Sequence, residues 1–301
     1  VITAVEAAHM EFFDTVEQVA DAKLEIAQGL PEGGSLLLPA DSEQFAYLQK
    51  RAAEKKGISV HSFGRAASAD YCLTHYRAQG LHSAGTLRYP HDGEQRHCDF
   101  ELRAIGAHWG GIASCALAMV DLVGGDVSRA ASALASFEEP AGRGRLRLLP
   151  LPTGEISTGE LPKGAGQFCL IDDSYNASPA SMKAAIEKLR LVADSLQREH
   201  HRAYRTVALL GDMLELGEES EAMHLSLSQP LRQSAIDYVV TVGARMQPVG
   251  DALGDAIPHQ HFATAEDAQQ AIASIVRADD VVLVKGSHGS GIYRLAAAIS
   301  A

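Results

Sequence analysis

The second half of the chain repeats a pattern that leaves few possible folds: short apolar runs rich in Val and Leu, each followed by a helical segment. Apolar strands that alternate with helices are typical of parallel strands buried on both faces. The pattern therefore predicts an α/β fold with a Rossmann-like, doubly wound sheet. The predicted strands are residues 167–173, 206–212, 237–243 and 281–287, and the predicted helices are residues 179–197, 219–234, 244–253, 265–277 and 289–299.

The first half of the chain is less regular. Two of its predicted strands alternate apolar and polar residues, with the turn signals Ala84-Gly85 and His91-Asp92-Gly93 between them, which indicates a β-hairpin region. The first predicted helix begins behind an Asp14 or Thr15 cap. Helical spacing predicts a helix over residues 14–28, and a high alanine content predicts helices over residues 42–56, 107–123 and 126–136. Strands are predicted over residues 35–40, 58–63, 70–79 and 97–105.

A change in composition between about residues 138 and 166 marks the best domain boundary. This stretch holds four Pro and six Gly and has no helical period, which predicts a hinge followed by a strand or a hairpin. We therefore predict two domains, residues 1–142 and residues 143–301.

Charge and cysteine content exclude several classes of function. Lys and Arg total 26 against 38 Asp and Glu, a formal charge of -12, which argues against a surface that neutralises a nucleic-acid backbone. No run of about 18 uncharged apolar residues predicts a membrane span, and the acidic first residues do not resemble a signal peptide. The four cysteines lie far apart without a CxxC pair, so we expect reduced thiols in a soluble, cytoplasmic protein with no membrane insertion.

Polar residues follow the predicted strands of the second half. They are Asp172 to Asn176, Gly211 to Met213, Gly243, and Lys285 to Ser287. Ligands of doubly wound sheets bind at the carboxyl ends of the strands, and glycines that open helix N-termini suit an anionic or nucleotide ligand. Each loop taken alone is equally explained by turn residues and helix caps. Together they favour a binding site.

Three segments resemble, in order and spacing, the C-terminal domain of the Mur ligase family. They are IDDSYNASPASMKAAIEKL, LLGDMLELGEESEAMH and VLVKGSHGSGI. They most resemble the branch that joins D-alanyl-D-alanine to UDP-N-acetylmuramoyl-tripeptide. AHMEFFDTVEQVADAKLEI, GAHWGGIASCALAM and PAGRG resemble that family's central ATPase domain and hinge. The resemblance implies part of a P-loop-type ATPase domain followed by a Rossmann-like, doubly wound C-terminal domain.

The resemblance also implies an activity. The family uses ATP and Mg²⁺ to form an amide bond through an acyl-phosphate, here in cytoplasmic peptidoglycan precursor synthesis. The implied partners are UDP-N-acetylmuramoyl-tripeptide and D-alanyl-D-alanine, with no nucleic acid, and the implied state is a monomer. His9 falls at the family's magnesium-ligating histidine. Lys23 falls at the lysine that the family carbamylates, which gives a hard cation an oxygen donor.

The family motifs also assign binding residues. Arg143 resembles the hinge arginine that reaches the nucleotide, although Arg145 could take that register. The nucleotide would further contact Asp173, Ser174, Tyr175 and Asn176. The incoming dipeptide would face Asp212, Glu215, Lys285, Gly286 and Ser287.

Several positions depart from the family pattern. No GxxxxGK[ST] motif occurs, so the phosphate-cradling loop is missing and we expect the 301 residues to be inactive alone, as a fragment or a natural truncation. Ala4 and Ile112 replace asparagines, and His288 replaces an arginine. Isoleucine cannot form a hydrogen bond with adenine. The absent GxxxxGK[ST] motif and Ile112 favour the alternative of a non-catalytic binding or assembly module derived from a Mur ligase.

Overall fold

The computed structural model describes residues 1–6, 13–151 and 166–300. The chain divides into two compact units, Val1–Arg77 with His82–Phe137, and Ala78–Leu81 with Glu138–Ala301. The assignment of residues 1–142 and 143–301 to two family domains stays a prediction.

The first unit contains a five-stranded sheet in the order β1-β2-β3-β4-β5. Strands β1, β2 and β3 run parallel, and β4 pairs antiparallel with β5. The Thr15 hydroxyl accepts the N–H of Gln18 and caps the first helix, which resolves the alternative between Asp14 and Thr15. The elements are α1 Val16–Leu24, β1 Ser35–Pro39, α2 Phe45–Ala53, β2 Ser59–Gly64, β3 Tyr71–Gln79, β4 His82–His91, β5 Glu94–Leu102, α3 Ala107–Leu122 and α4 Val127–Leu134.

Strand β4 was missed because Ala84-Gly85 was interpreted as a turn. Gly85 instead lies inside β4, opposite Phe100 of β5. A Cβ atom at Gly85 would come within 2.5 Å of the Phe100 ring, so this glycine makes room for the aromatic side chain. The other turn signal was right: Asp92 and Gly93, both with positive φ, connect β4 to β5. The hairpin therefore joins β4 and β5, and β3 is the neighbour of β4.

The second unit contains a six-stranded sheet in the order β10-β9-β8-β11-β7-β6. All neighbouring strands run parallel except β6, which pairs antiparallel with β7 at one edge. The elements are β6 Arg145–Pro150, β7 Gln167–Asp173, α5 Pro179–His200, β8 Arg205–Gly211, α6 Ser220–Leu225, α7 Ser228–Gln233, β9 Tyr238–Val242, α8 Gln247–Leu253, β10 His259–Phe262, α9 Ala265–Ile275, β11 Asp280–Lys285 and α10 Ile292–Ser300.

Helices cover both faces of this sheet. Alternate residues of β7, β8 and β11 pack with α9 and α10 in one apolar core, and α5 packs against β8 and β11 with its own buried residues. The prediction of a doubly wound sheet is thereby confirmed. The helix predicted over 219–234 is instead two short helices, since Pro230 has no N–H to donate to the preceding turn. The short edge strand β10 was not predicted.

All four cysteines are free and buried, as expected. Among the described residues, no helix is both long and apolar enough to span a bilayer. The ends of β7, β8 and β11 lie side by side, since Lys285 is in register with Asp173 on one side and with Leu210 on the other. The loops that follow these strands form the candidate site.

Candidate functional site

Lys285 joins two parts of this edge of the sheet. Its Nζ donates to Asp173 Oδ2 at 2.7 Å and to the Asn176 carbonyl at 3.0 Å. The Lys285 side chain is 2% exposed and that of Asp173 is 23% exposed. Burial raises the pKa of Asp173, and the charge of Lys285 opposes that shift. Two side chains that the sequence analysis assigned to different ligands thus form one ion pair, and their ligand contacts stay predictions.

The loop after β8 is held by its neighbours. The N–H of Ser287 donates to the Asp212 carbonyl at 3.0 Å. In return, the N–H of Leu214 donates to the Ser287 hydroxyl at 2.9 Å. Asp212 Oδ1 accepts the N–H of Met246 at 3.0 Å, and burial raises the pKa of the Asp212 carboxyl group. The loops after β8, β9 and β11 are therefore one hydrogen-bonded assembly.

A buried histidine that the sequence analysis did not assign a role supports the same loop. His224 of α6 is fully buried, and its Nε2 accepts the N–H of Met213 at 2.9 Å. Its Nδ1 lies 2.6 Å from the Ser220 carbonyl, which places the ring proton on Nδ1. A single histidine in a short, partly apolar helix gave no signal that would separate this role from a surface position.

Of two further predicted dipeptide-facing residues, one has a left-handed backbone conformation and the other lies at a close approach of two strand ends. Glu215 is exposed and has a φ of +61°, in the left-handed region. A Cβ atom at Gly286 would lie 3.0 Å from the Gly211 Cα atom, so glycine permits the two strand ends to approach each other. The structure brings Asp212, Gly286 and Ser287 together, with the exposed Glu215 at the end of the loop after β8.

Arg143 lies in a turn beside the end of β7. Its guanidinium carbon lies 4.5 Å from the centre of the Tyr175 ring, a cation–π geometry. The N–H of Tyr175 donates to the Gly142 carbonyl at 2.9 Å. Arg145 belongs to β6 instead, and its guanidinium pairs with Glu138 at 2.7 Å. The Arg143 guanidinium thus lies on the Tyr175 ring and that of Arg145 is paired with Glu138, and the assignment of either arginine to a nucleotide stays a prediction.

The Tyr175 ring also belongs to a row of aromatic rings. Tyr175 is 51% exposed. Its centroid lies 5.8 Å from that of His288. His288 in turn stacks on Tyr293 at 4.4 Å with 9° between the ring planes. The residue that departs from the family arginine therefore presents a flat ring at the edge of the site.

The other polar residues of the loop after β7 stabilise the loop itself. The Ser174 hydroxyl donates to Asp172 Oδ1 at 2.6 Å, and Asp172 Oδ2 accepts the N–H of Gly142 at 3.2 Å. The Asn176 side-chain oxygen accepts the N–H of Ala177 at 2.8 Å. Asp172, which was not assigned to a ligand, thus connects this loop to the turn that carries Arg143.

The predicted metal ligands belong to the first unit. His9 lies outside the described residues. Lys23 is exposed in the last turn of α1. Ile112, at the departure from the family asparagine, is 44% exposed on α3. Within the described ranges, no group of three or more His, Cys, Asp and Glu could hold a metal ion.

Comparisons with known proteins identify one family over most of the chain. The Mur ligase middle domain matches residues 1–120, and the Mur ligase, glutamate ligase domain matches residues 160–288. The UDP-N-acetylmuramoyl-tripeptide--D-alanyl-D-alanine ligase of Escherichia coli is 30% identical over 97% of this chain and 58% of its own length. The ligase of that name from Rickettsia prowazekii is 25% identical over 96% of this chain and 58% of its own length. The chain thus spans about 58% of the length of these curated relatives.

Solved structures show the same architecture. A MurF structure from Acinetobacter baumannii has a TM-score of 0.76 at 22% identity and covers 99% of this chain and 58% of that chain. MurF from Thermotoga maritima in complex with ADP has a TM-score of 0.72 at 23% identity, over 98% of this chain and 60% of that chain. These likenesses concern the fold, and they confirm the predicted α/β class.

Proposed function

This chain belongs to the Mur ligase family, and we propose that it is the middle and C-terminal part of an enzyme that adds D-alanyl-D-alanine to UDP-N-acetylmuramoyl-tripeptide. The reaction is an ATP-dependent amide ligation in cytoplasmic peptidoglycan precursor synthesis. One observation carries the proposal: the loops that contain the three family motifs meet at the ends of β7, β8 and β11, with Arg143 beside them.

Bound ATP supplies the phosphoryl group that activates the tripeptide carboxylate, and the dipeptide amine then displaces phosphate from the acyl-phosphate. The charge developed on phosphate oxygens is stabilised by positive groups that are already in place. Arg143 is an exposed arginine at this edge, and its guanidinium contacts the Tyr175 ring. We assign Arg143 to the nucleotide phosphates and Asp173, with the loop from Ser174 to Asn176, to the ribose side.

The dipeptide side of the site is the hydrogen-bonded assembly of the loops after β8 and β11. Asp212, Gly286 and Ser287 are fixed relative to one another before any ligand binds, so little ordering entropy opposes binding. Lys285 holds Asp173 and the carbonyl of Asn176, which connects the nucleotide side to the dipeptide side. In this arrangement the Lys285 ammonium group places a positive charge near both substrates and fixes the loop residues that contact them.

The magnesium ion implied by the family fits the described residues poorly. Lys23 is an exposed lysine, and the described part of the chain offers no cluster of three His, Cys, Asp or Glu ligands. We therefore assign no step to the metal. Carbamylation of Lys23 would convert an ammonium group into an oxygen donor and is part of the proposal for the intact enzyme.

A ligation assay tests the proposed function. It measures phosphate release and the joining of labelled D-alanyl-D-alanine to UDP-N-acetylmuramoyl-tripeptide, first with residues 1–301 alone and then with the same chain extended by its in-frame upstream coding sequence. We expect no turnover by residues 1–301, because several phosphate contacts of a GxxxxGK[ST] loop are lost at about 1.5–3 kcal/mol each. We expect ligation by the extended chain. Steady ATP hydrolysis by residues 1–301 would contradict the placement of the nucleotide contacts.

The second candidate function is a non-catalytic binding or assembly module. It is favoured by Ile112, an exposed apolar side chain where the family has an adenine-contacting asparagine. The same assay separates the two functions. An upstream sequence without GxxxxGK[ST], or an extended chain that folds cooperatively without ligation, would support the module.

A further inference from the structure

A buried ion pair outside the proposed ligand-contacting residues holds the loop that carries Arg143. Lys188, in the middle of α5, donates from Nζ to Glu139 Oε1 at 2.5 Å and to the Gly144 carbonyl at 2.8 Å. The Lys188 side chain is 6% exposed and that of Glu139 is 1% exposed. One ammonium group thus binds both ends of the loop from Glu139 to Gly144, which we call the arginine loop.

Two glycines fit the arginine loop to its surroundings. Gly144 has a φ of +92°, and a Cβ atom there would lie 2.9 Å from Lys188 Nζ. Gly142 has a φ of +71°, and a Cβ atom there would lie 3.1 Å from the Tyr175 Cβ atom. Both positions therefore combine a backbone conformation that favours glycine with a close approach. The loop passes against Lys188 on one side and against Tyr175 on the other.

Stability alone does not explain an ion pair at this place. Burial lowers the pKa of Lys188, and the Glu139 carboxylate opposes that shift. Two apolar side chains of similar volume often stabilise a protein as well as a buried ion pair does. An apolar pair, however, offers no donor to the Gly144 carbonyl and sets no direction for the loop. The distinct contribution of the pair is a fixed geometry for a segment without regular secondary structure.

Backbone hydrogen bonds of the arginine loop fix the position of Arg143. The N–H of Gly144 donates to the Asp172 carbonyl at 2.7 Å, and the N–H of Arg143 donates to the Pro140 carbonyl at 3.1 Å, which closes a turn. The bond from Gly144 connects the loop to the end of β7, and Lys188 connects it to α5. Release of Lys188 would remove both of its contacts with the loop.

We propose that Lys188 is a positioning residue that closes the arginine loop and so holds the Arg143 guanidinium over Tyr175, ready for the nucleotide. The role of Arg143 toward a nucleotide rests on the proposed function. Closure of the loop by Lys188 does not, because every group involved belongs to the second unit of this chain.

The test compares two variants with a control. K188M removes the ammonium group, and E139L/K188M replaces the ion pair with two apolar side chains. K183M changes an exposed lysine of the same helix and serves as the control. Three measurements are made on residues 1–301: the melting temperature, the exchange rates of the Gly142 and Gly144 amides, and the rate of tryptic cleavage after Arg143.

We expect E139L/K188M to melt close to the wild-type temperature while its loop opens. Exchange and cleavage should accelerate about tenfold or more, the ratio that follows from loss of one charge-assisted contact that holds the loop closed. K183M should behave like the wild type in all three measurements. A change in loop opening without a change in melting temperature is a result that a merely stabilising pair would not produce.

Unchanged exchange and cleavage rates would contradict the proposal. If E139L/K188M folds and both rates stay within about a factor of two of the wild type, a range that packing changes alone can produce, Lys188 does not close the loop. Should that variant fail to fold, K188M alone takes its place, because it also removes the ammonium group that binds Glu139 and the Gly144 carbonyl. Unchanged exchange in K188M would then overturn the proposal. A loop that opens without raising the KM for ATP in the intact ligase would instead refute the nucleotide role of Arg143.

Discussion

Lys285→Met gives the sharpest test of the candidate site. The substitution removes the ammonium group that binds Asp173 and the Asn176 carbonyl, and it leaves a carboxylate of which 23% is exposed. Loss of one partner of a buried pair costs about 3–5 kcal/mol, and the partial exposure of Asp173 favours the lower end, about 3 kcal/mol. At about 2–4 °C per kcal/mol for a unit of this size, the melting temperature should fall by about 6–12 °C.

The loss of stability in Lys285→Met should depend on pH, because Asp173 is ionisable. Burial already raises the pKa of Asp173 above the ordinary 3.8, and Lys285→Met removes the charge that opposes this shift. Between the ordinary and the raised pKa the folded state holds the proton that the unfolded state has released, so stability falls as pH rises through that window. The deficit of Lys285→Met relative to the wild type should therefore be smallest at acid pH and largest near neutral pH.

Calorimetry at several pH values measures both the fall in melting temperature and its dependence on pH, with Lys183→Met as the exposed-lysine control. The double variant Asp173→Asn/Lys285→Met removes the unpaired charge and should regain much of the lost stability. A deficit that is the same at about pH 4.5 and about pH 7.5, or a double variant no more stable than Lys285→Met, would refute the reasoning.

Three further outcomes are expected. In the intact ligase, Arg143→Ala should raise the KM for ATP about tenfold or more in steady-state kinetics. Arg145→Ala is the control and should change that KM little, because the Arg145 guanidinium pairs with Glu138. In the same enzyme, Lys23→Ala should lower kcat sharply, and an unchanged kcat would remove Lys23 from the site. Gly85→Ala should destabilise the first unit by about 1–3 kcal/mol in urea unfolding, because its Cβ atom meets the Phe100 ring, and Phe100→Leu should relieve part of that loss.

The sequence by itself determined the class of the second unit. Val- and Leu-rich strands such as β8 and β11 are buried on both faces, and this requirement shows in the local composition and spacing of the sequence. The loops that follow these strands could be located for the same reason, since each motif directly follows its strand. In the first unit, α1 could be predicted from its helical spacing and α3 from its alanine content.

Only the tertiary structure decided which side chains meet. Gly85 has the sequence signature of a turn, yet its place is set by an aromatic ring on the neighbouring strand. Lys285 and Asp173 are 112 residues apart, and their pairing follows from the order of β7 and β11 in the sheet. His224 and Lys188 gave no local signal because their partners, Met213 and the arginine loop, come from other segments. The spacing of residues along a chain reflects local conformational preference, whereas the partners of a buried polar group are atoms far away in the sequence.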